Sequence, residues 1–592
     1  MTDPRAEYER RLSDWRRRIS DLDRRHFLIS NARLALAVIG AILLWQAFVR
    51  ARISPWWPVA DGLVFAVLAV YHAFLLQRRD RARRAAAVYA RGLDRLADRW
   101  AGAGRDGARF LEGHPYARDL DLFGRASLFE RLNTARTEAG EVTLAEWLGA
   151  GAPTDEVRAR QQAVDELRLR LDFREDVAVL ASESPVSRTG ALAAWAASPP
   201  ARFPDLLRIG LAGAAAFTLA LAGLVYFEVV APEWLAAWIV VETSVAAIWR
   251  HTFHHVLHAI ETPERDLALL SGLLARVERE RFASPRLSAL RATLLAGGAP
   301  PSRRIARLRT MVSWADSTHN LLFAPIAYAL LVKPQVAVAI DRWQRAHGPA
   351  IADWLRVVGD VEALSALATY AYERPGDRFP EVVDSGPLFD GDAVGHPLIA
   401  DAVSVSNDVR LGGTHPRTFV VSGSNMSGKS TLLRTVGVNL VLALAGGPVR
   451  AARLRVSPLV VGATLRIDDS LQEGHSRFFT EILRSRRIVE DARGPVPLLF
   501  LLDEILHGTN SHDRRIGAEA VVRALVGHGA IGLVTTHDLA LTELPAKLDG
   551  VVNVHFEDRL EHGRMTFDYR MRPGVVEHSN ALALMRAIGL DV

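Results

Sequence analysis

Apolar residues fall along this chain in two patterns. In the first 250 residues they form four long runs, Leu34–Val49, Trp56–Leu76, Ile209–Phe227 and Leu235–Trp249. Toward the C-terminus they form short blocks, Thr418–Val421, Leu498–Leu502 and Ala530–Thr536, separated by stretches of helical period. A helix needs about 20 apolar residues to cross the hydrocarbon core of a bilayer. The long runs pair across short turns, Arg50–Pro55 and Glu228–Trp234. They therefore predict two transmembrane hairpins, at 31–77 and 206–250. Ahead of them Tyr8, Leu12, Trp15, Ile19 and Leu22 recur at alternating spacings of four and three. That period predicts an amphipathic helix over 1–30, lying on a membrane surface or packed on another domain. Residues 78–205 are polar with helical period, and 251–373 again reads as long helices, with apolar Asn320–Val332 expected to be a buried helix; both regions are expected to be all-α. Pro- and Gly-rich 374–400 is expected to be a linker, and 401–592 an α/β domain.

Charge adds a topology to this pattern. Arg16, Arg17, Arg18, Arg24, Arg25 and Arg33 precede the first hairpin, and Arg78, Arg79, Arg81, Arg83 and Arg84 follow it. The positive-inside rule then puts both ends in the cytoplasm, with Arg50 and Arg52 as exceptions in the turn. The expectation is a multi-pass protein of the cell (inner) membrane, with N-terminus, helical regions and C-terminal domain cytoplasmic. No cleavable signal peptide is expected, because the first 30 residues are charged. The net charge of +5 is carried almost wholly by arginine, with only Lys333, Lys429 and Lys547 as lysines. Such a bias reads as genome-wide usage and argues little for nucleic acid. The absence of cysteine excludes disulfides and thiolate chemistry. Two acids fall in the apolar runs, Asp61 near the outer end of its span and Glu242 inside the last. Glu242 is expected to make a helix–helix hydrogen bond or to be a protonated buried acid. His251, His254, His255 and His258 share one helical face, a spacing that suits either a metal or a structural stripe.

The candidate chemistry lies in the last domain. Gly423-Ser424-Asn425-Met426-Ser427-Gly428-Lys429-Ser430 has the spacing of a P-loop, between an apolar strand and a helix opened by Thr431. Such a loop presents backbone N–H groups and a helix N-terminus to phosphate. Lys429 would reach the β- and γ-phosphates of ATP, and the Ser430 hydroxyl would hold Mg²⁺. Leu498–Leu502 ends in Asp503-Glu504, where Asp503 would hold the metal and Glu504 would orient the attacking water. His537, at the end of the Ala530–Thr536 block, suits a γ-phosphate sensor. Glu473-Gly474-His475-Ser476-Arg477 opens another amphipathic helix. Alone, that turn reads equally as an anion site or an ordinary N-cap. Beside a complete P-loop it would serve a partner subunit's nucleotide, implying a dimer.

Together these residues resemble the C-terminal ATPase domain of the DNA mismatch repair MutS family, of the ABC superclass. The resemblance rests on Ser424–Thr431, Asp503-Glu504 with Gly508-Thr509-Asn510, Thr536-His537 and Glu577–Leu582. Upstream, Ser127–Phe129, Leu132–Thr137, Gly140, Trp147-Leu148 and Arg160-Gln161 resemble the start of the MutS core, 251–373 its lever helices, and Gly395–Pro397 the entry to its nucleotide domain. The resemblance implies a P-loop (ABC-type) ATPase domain preceded by all-α core and lever helices, here combined with the two hairpins. It implies ATP and Mg²⁺, composite sites at a homodimer interface, and Ser476 donated to the partner's γ-phosphate. The chain departs from the pattern at Arg477, where the family has Thr, and at Leu506-His507, where the repair proteins have Gly-Arg. The short polar stretch before the hairpin leaves no room for a mismatch-reading domain, so mismatch recognition is not expected. The expected activity is ATP hydrolysis driving a conformational switch or clamp at the bilayer. The alternatives are an ATP-driven transporter and a membrane-tethered DNA-processing ATPase.

Overall fold

The computed structural model describes residues 3–182, 189–259, 264–318, 324–466, 477–506, 511–537, 539–561 and 564–576. No proline interrupts residues 5–44, and one helix runs Pro4–Leu44, started by Asp3, which accepts from Arg5 N–H at 3.1 Å. The amphipathic segment predicted over 1–30 and the first apolar run are thus a single element. The helix continues as a π-turn over Trp45–Val49, and a turn over 50–55 leads to an antiparallel helix, Trp56–Leu96. Asp61 lies on the inner face of this pair, where a Cβ on Gly40 would stand 2.5 Å from its carboxylate. At the polar end Tyr8 and Leu12 are buried, with the Tyr8 ring 5.4 Å from Tyr89 and 5.6 Å from Tyr372.

Three helices among the described residues are long and apolar enough to cross a membrane: those within Pro4–Val49, Trp56–Leu96 and Asp205–Tyr226. The partner of the last, Pro232–Ala247, has 16 residues. At 1.5 Å per residue it spans about 24 Å, short of the roughly 30 Å of a bilayer core. It ends before the predicted boundary at Trp249, and Arg250–Ala259 follows as a separate helix. Within this pair Thr218 Oγ1 donates to Glu242 Oε2 at 2.8 Å, and Trp238 Nε1 donates to Thr218 Oγ1 at 3.0 Å. The histidine stripe of Arg250–Ala259 is exposed while Phe253 and Val256 are buried, and no metal-holding cluster occurs among the described residues.

A 42-residue helix, Val332–Glu373, organises the helical body, and every residue from Val357 to Glu373 is buried. Its Glu362 accepts from the backbone N–H groups of Arg136 (3.0 Å) and Thr137 (3.3 Å) and from the Thr137 hydroxyl. Arg286 bridges it to the Thr154–Arg168 helix through Asp360 (3.0 Å) and Glu156 (2.6 Å).

The C-terminal domain has ten described strands: β1 (Glu381–Val382), β2 (Leu388–Val394), β3 (Asn407–Gly412), β4 (Thr418–Ser422), β5 (Arg453–Val456), β6 (Val460–Thr464), β7 (Leu498–Leu502), β8 (Ile531–Thr536), β9 (Val551–Glu561) and β10 (Arg564–Pro573). The larger sheet has the order β10-β9-β4-β8-β7-β6, parallel except for β10. β4, β7 and β8 are buried at every position, as expected of strands covered on both faces. The smaller sheet runs β1-β5-β2-β3. The predicted linker 374–400 is corrected by this sheet. Its prolines and most of its glycines flank β1 and β2, Gly391 falls at a register shift within β2, and Phe389 and Val394 are fully buried there.

Candidate active site

Register brings the candidate residues together. Ser422 of β4 is level with Thr536 of β8, and Val534 of β8 is level with Leu502 of β7. The three strands therefore release Gly423, His537 and Asp503 at one edge of the sheet. The loop after β4 needs left-handed backbone at Gly423 (φ 144°), Met426 (φ 69°) and Gly428 (φ 104°). A Cβ on Gly423 would stand 2.9 Å from Ser427 Oγ and 3.0 Å from Phe556 O, so only glycine closes this turn. Gly428 is the N-cap of the Lys429–Ala445 helix, which carries Ser430 and Thr431 in its first turn.

Lys429 is buried, and its Nζ donates to Gly423 O (2.8 Å) and Ser424 O (2.9 Å). Burial lowers its pKa, opposed by the nearby negative charges of Glu504 and Asp503. Thr535 Oγ1 donates to Asp503 Oδ1 at 2.5 Å and accepts from Glu504 N–H at 3.0 Å. One hydroxyl thus holds the Asp503 carboxylate and the Glu504 backbone. Glu504 has positive φ (50°), and its Oε1 contacts His537 Nε2. Next in the loop, Leu506 N–H donates to the buried carboxylate of Glu481.

The arrangement fits a phosphate chain with a divalent cation. Ser424 Oγ and Ser427 Oγ are buried without a hydrogen-bond partner, inside a loop whose only cation is Lys429. Asp503 and Ser430 supply the hard oxygen donors that Mg²⁺ prefers. Asn425 and Met426 are exposed at the tip of the loop.

Residues 419–591 match the family model for MutS domain V. The C-terminal part of this chain is MutS-related. Among its relatives are the DNA mismatch repair protein MutS of Brevibacillus brevis, 32% identical over 255 residues, and MutS 1 of Halobacterium salinarum, 36% identical over 239 residues. A third, MutS of Aquifex pyrophilus, is 34% identical over 241 residues. These alignments cover 40–41% of this chain and 27–29% of the relatives, so the chain spans less than a third of their length.

Within the MutS-related domain, Ser476, the Gly508–Asn510 loop and Glu577–Leu582 lie outside the described residues. The structure also adds residues that the sequence pattern did not single out. Thr535 reads as one more β8 residue. Tyr569 sits in a bulge of β10 with φ 55°, and a Cβ on Gly428 would stand 3.1 Å from its ring. Asn407 holds the bulge, its Nδ2 donating to Tyr569 O at 3.0 Å and its Oδ1 accepting from Met571 N–H at 2.7 Å. No local motif marks Tyr569, and only the pairing of β10 with β9 brings it to the P-loop.

Proposed function

We propose that this chain is a membrane-anchored, homodimeric MutS-like ATPase of the ABC class that uses ATP to drive a conformational switch or clamp. One observation carries the reading: Lys429, Asp503, Glu504 and His537 emerge at the same edge of three adjacent parallel strands, with β8 between the P-loop strand and the acidic strand.

In this reading the P-loop amides and Lys429 hold the phosphates, and Ser430 and Asp503 hold the metal. Bound Mg²⁺ supplies charge neutralisation at the phosphates. Glu504 orients water for in-line attack, with its backbone N–H held by Thr535 and its carboxylate by His537. Ser476 of each subunit would complete the partner's site. Membrane anchoring is supported by the apolar windows of the three long helices, only 0%, 11% and 22% buried by protein.

The test uses full-length protein in lipid vesicles with labelled ATP. Lys429→Ala is expected to lose nucleotide binding. Glu504→Gln is expected to bind ATP, to hydrolyse it at least 100-fold more slowly, and to accumulate as a dimer, on the order expected when an electrostatic catalytic group is lost. Hydrolysis by Glu504→Gln at the parental rate would overturn the assignment. Recovery of the protein in the aqueous phase without detergent would overturn the anchoring.

A further inference from the structure

A cavity of about 400 Å³ opens where the Asp205–Tyr226 helix meets Pro301–Ser317 and the first part of Val332–Glu373. Each of the three helices contributes one arginine to its wall, Arg208, Arg307 and Arg342, and the floor is apolar, with Leu211, Met311 and Trp343. All three arginines are exposed, and none has an ion pair among the described residues. The nearest acid on the long helix, Asp341, is already engaged by Arg345 at 3.0 Å and by Arg202 N–H at 3.1 Å. Three arginines that follow the first hairpin differ. Arg79 and Arg83 reach Asp23 at 3.8 and 3.2 Å, and Arg81 reaches Asp176 at 2.8 Å. The charge of these three is answered within the protein, whereas that around the cavity is not.

The cavity also continues into an apolar surface. Arg208 is in the first turn of a helix long and apolar enough to cross a bilayer. Leu206, Ile209 and Phe217 on that helix are 78%, 67% and 52% exposed. If the helix spans, Arg208 lies at the depth of the lipid phosphates. Cations at that depth above a greasy floor suit a ligand that is an anion at one end and a hydrocarbon at the other.

We infer that this cavity is a binding site for an anionic glycerophospholipid, its phosphate among Arg208, Arg307 and Arg342 and an acyl chain along the Asp205–Tyr226 helix. The inference rests on the membrane-anchored reading above. A free phosphate would share the arginines but gain nothing from the floor. Each arginine near a lipid phosphate contributes about fivefold in affinity, so removing all three costs on the order of 100-fold.

The test begins with flotation of the full chain on neutral phosphatidylcholine vesicles, which reports insertion alone. Detergent-solubilised protein is then titrated with phosphatidylglycerol, phosphatidylcholine or inorganic phosphate, and bound lipid is counted by native mass spectrometry. The parent is expected to retain phosphatidylglycerol over phosphatidylcholine, without competition from millimolar phosphate. The triple variant Arg208→Gln/Arg307→Gln/Arg342→Gln is expected to float like the parent but to lose the preference about 100-fold. Arg81→Gln/Arg83→Gln is expected to keep it. Absence of flotation by the parent sinks the membrane reading. Flotation with equal phosphatidylglycerol binding by parent and triple variant sinks the site alone. Equal loss in the Arg81/Arg83 variant assigns the effect to diffuse charge, and full competition by phosphate assigns the cavity to a soluble anion; either overturns the inference.

Discussion

Replacing Glu362 by glutamine should flatten the pH dependence of stability, because this carboxyl is buried where its charge is poorly answered. It is 2% exposed in the middle of the 42-residue helix. A Cβ on Gly140 would collide with it, so water is excluded from that side. Burial is the largest influence, and it pushes the pKa from the usual 4.5 to about 7, against the hydrogen bonds from Thr137 and the Arg136 N–H and with added repulsion from Glu141. The folded pKa is raised above the unfolded value. The stabilisation is therefore fully present below about 4.5 and is lost as pH rises through about 7. From 4.5 to about 7, at 1.36 kcal/mol per pH unit, the whole effect is about 3 kcal/mol. Glutamine is isosteric and keeps the acceptor for the Arg136 N–H; its amide nitrogen, in place of Oε2, can donate to the Thr137 hydroxyl but leaves the Thr137 N–H unanswered, a loss that is the same at both pH values. The measurement is the thermal midpoint of parent and Glu362→Gln in detergent at pH 5 and pH 8. Other titrating groups contribute alike to both proteins and cancel in the difference. The parent should lose about 2–3 kcal/mol more than the variant over this interval, roughly 4–12 °C for a cooperative unit of 150–250 residues. Equal pH slopes would show that Glu362 does not titrate in this window and would refute the reasoning.

Two other substitutions probe the contacts at either end of the molecule. Glu373→Ala should destabilise by about 3–5 kcal/mol, because it strands Arg95, whose guanidinium lies 2.6 Å from a carboxylate with 6% side-chain exposure. The double variant Arg95→Met/Glu373→Met should have a higher thermal midpoint than Glu373→Ala, and the opposite order would refute the pairing. Tyr569→Ala should weaken binding of a fluorescent ATP analogue about fivefold, the value of roughly 1 kcal/mol for a lost aromatic contact, while Tyr569→Phe should bind like the parent. Unchanged affinity in Tyr569→Ala would place the ring outside the nucleotide site.

The parts of this protein that were legible in sequence are those whose chemistry is local. The P-loop is contiguous, and β4, β7 and β8 announce themselves as short apolar blocks ending in glycine, acid or histidine. Where polarity changes without a structural break, the reading split one element into two. Pro4–Leu44 turns from amphipathic to apolar partway along, yet nothing in it ends a helix. Where breakers flank rather than interrupt, the reading erased an element, as at β1 and β2 within 374–400. Partners distant in the chain left no trace. Glu362 meets Thr137 across 225 positions and Tyr8 meets Glu373 across 365, so neither contact could be inferred from spacing.

The long helix and one short loop both attach the C-terminal domain to the helical body. Leu120 fills the space left by Gly437 in the P-loop helix, where a Cβ would stand 2.6 Å from it. Beside it Asp119 is buried, and its Oδ1 accepts from the N–H groups of Leu465 and Arg466, both at 2.7 Å, at the end of β6. Arg434, one turn into the P-loop helix, donates to Asp119 O at 3.1 Å. A close-packed, hydrogen-bonded contact of this kind does not stretch, so a rotation of the P-loop helix must carry the 116–123 loop with it. The long helix enters the same domain at Arg374, which is tied to Asp401 at 2.8 Å and to Asp98 at 3.0 Å. Two separate attachments, one through the loop and one through the helix end, define a lever rather than a tether. In the proposed ATPase reading, closure at the P-loop would be delivered to the end of Val332–Glu373 on which the Tyr8 face of the first helix pair is seated.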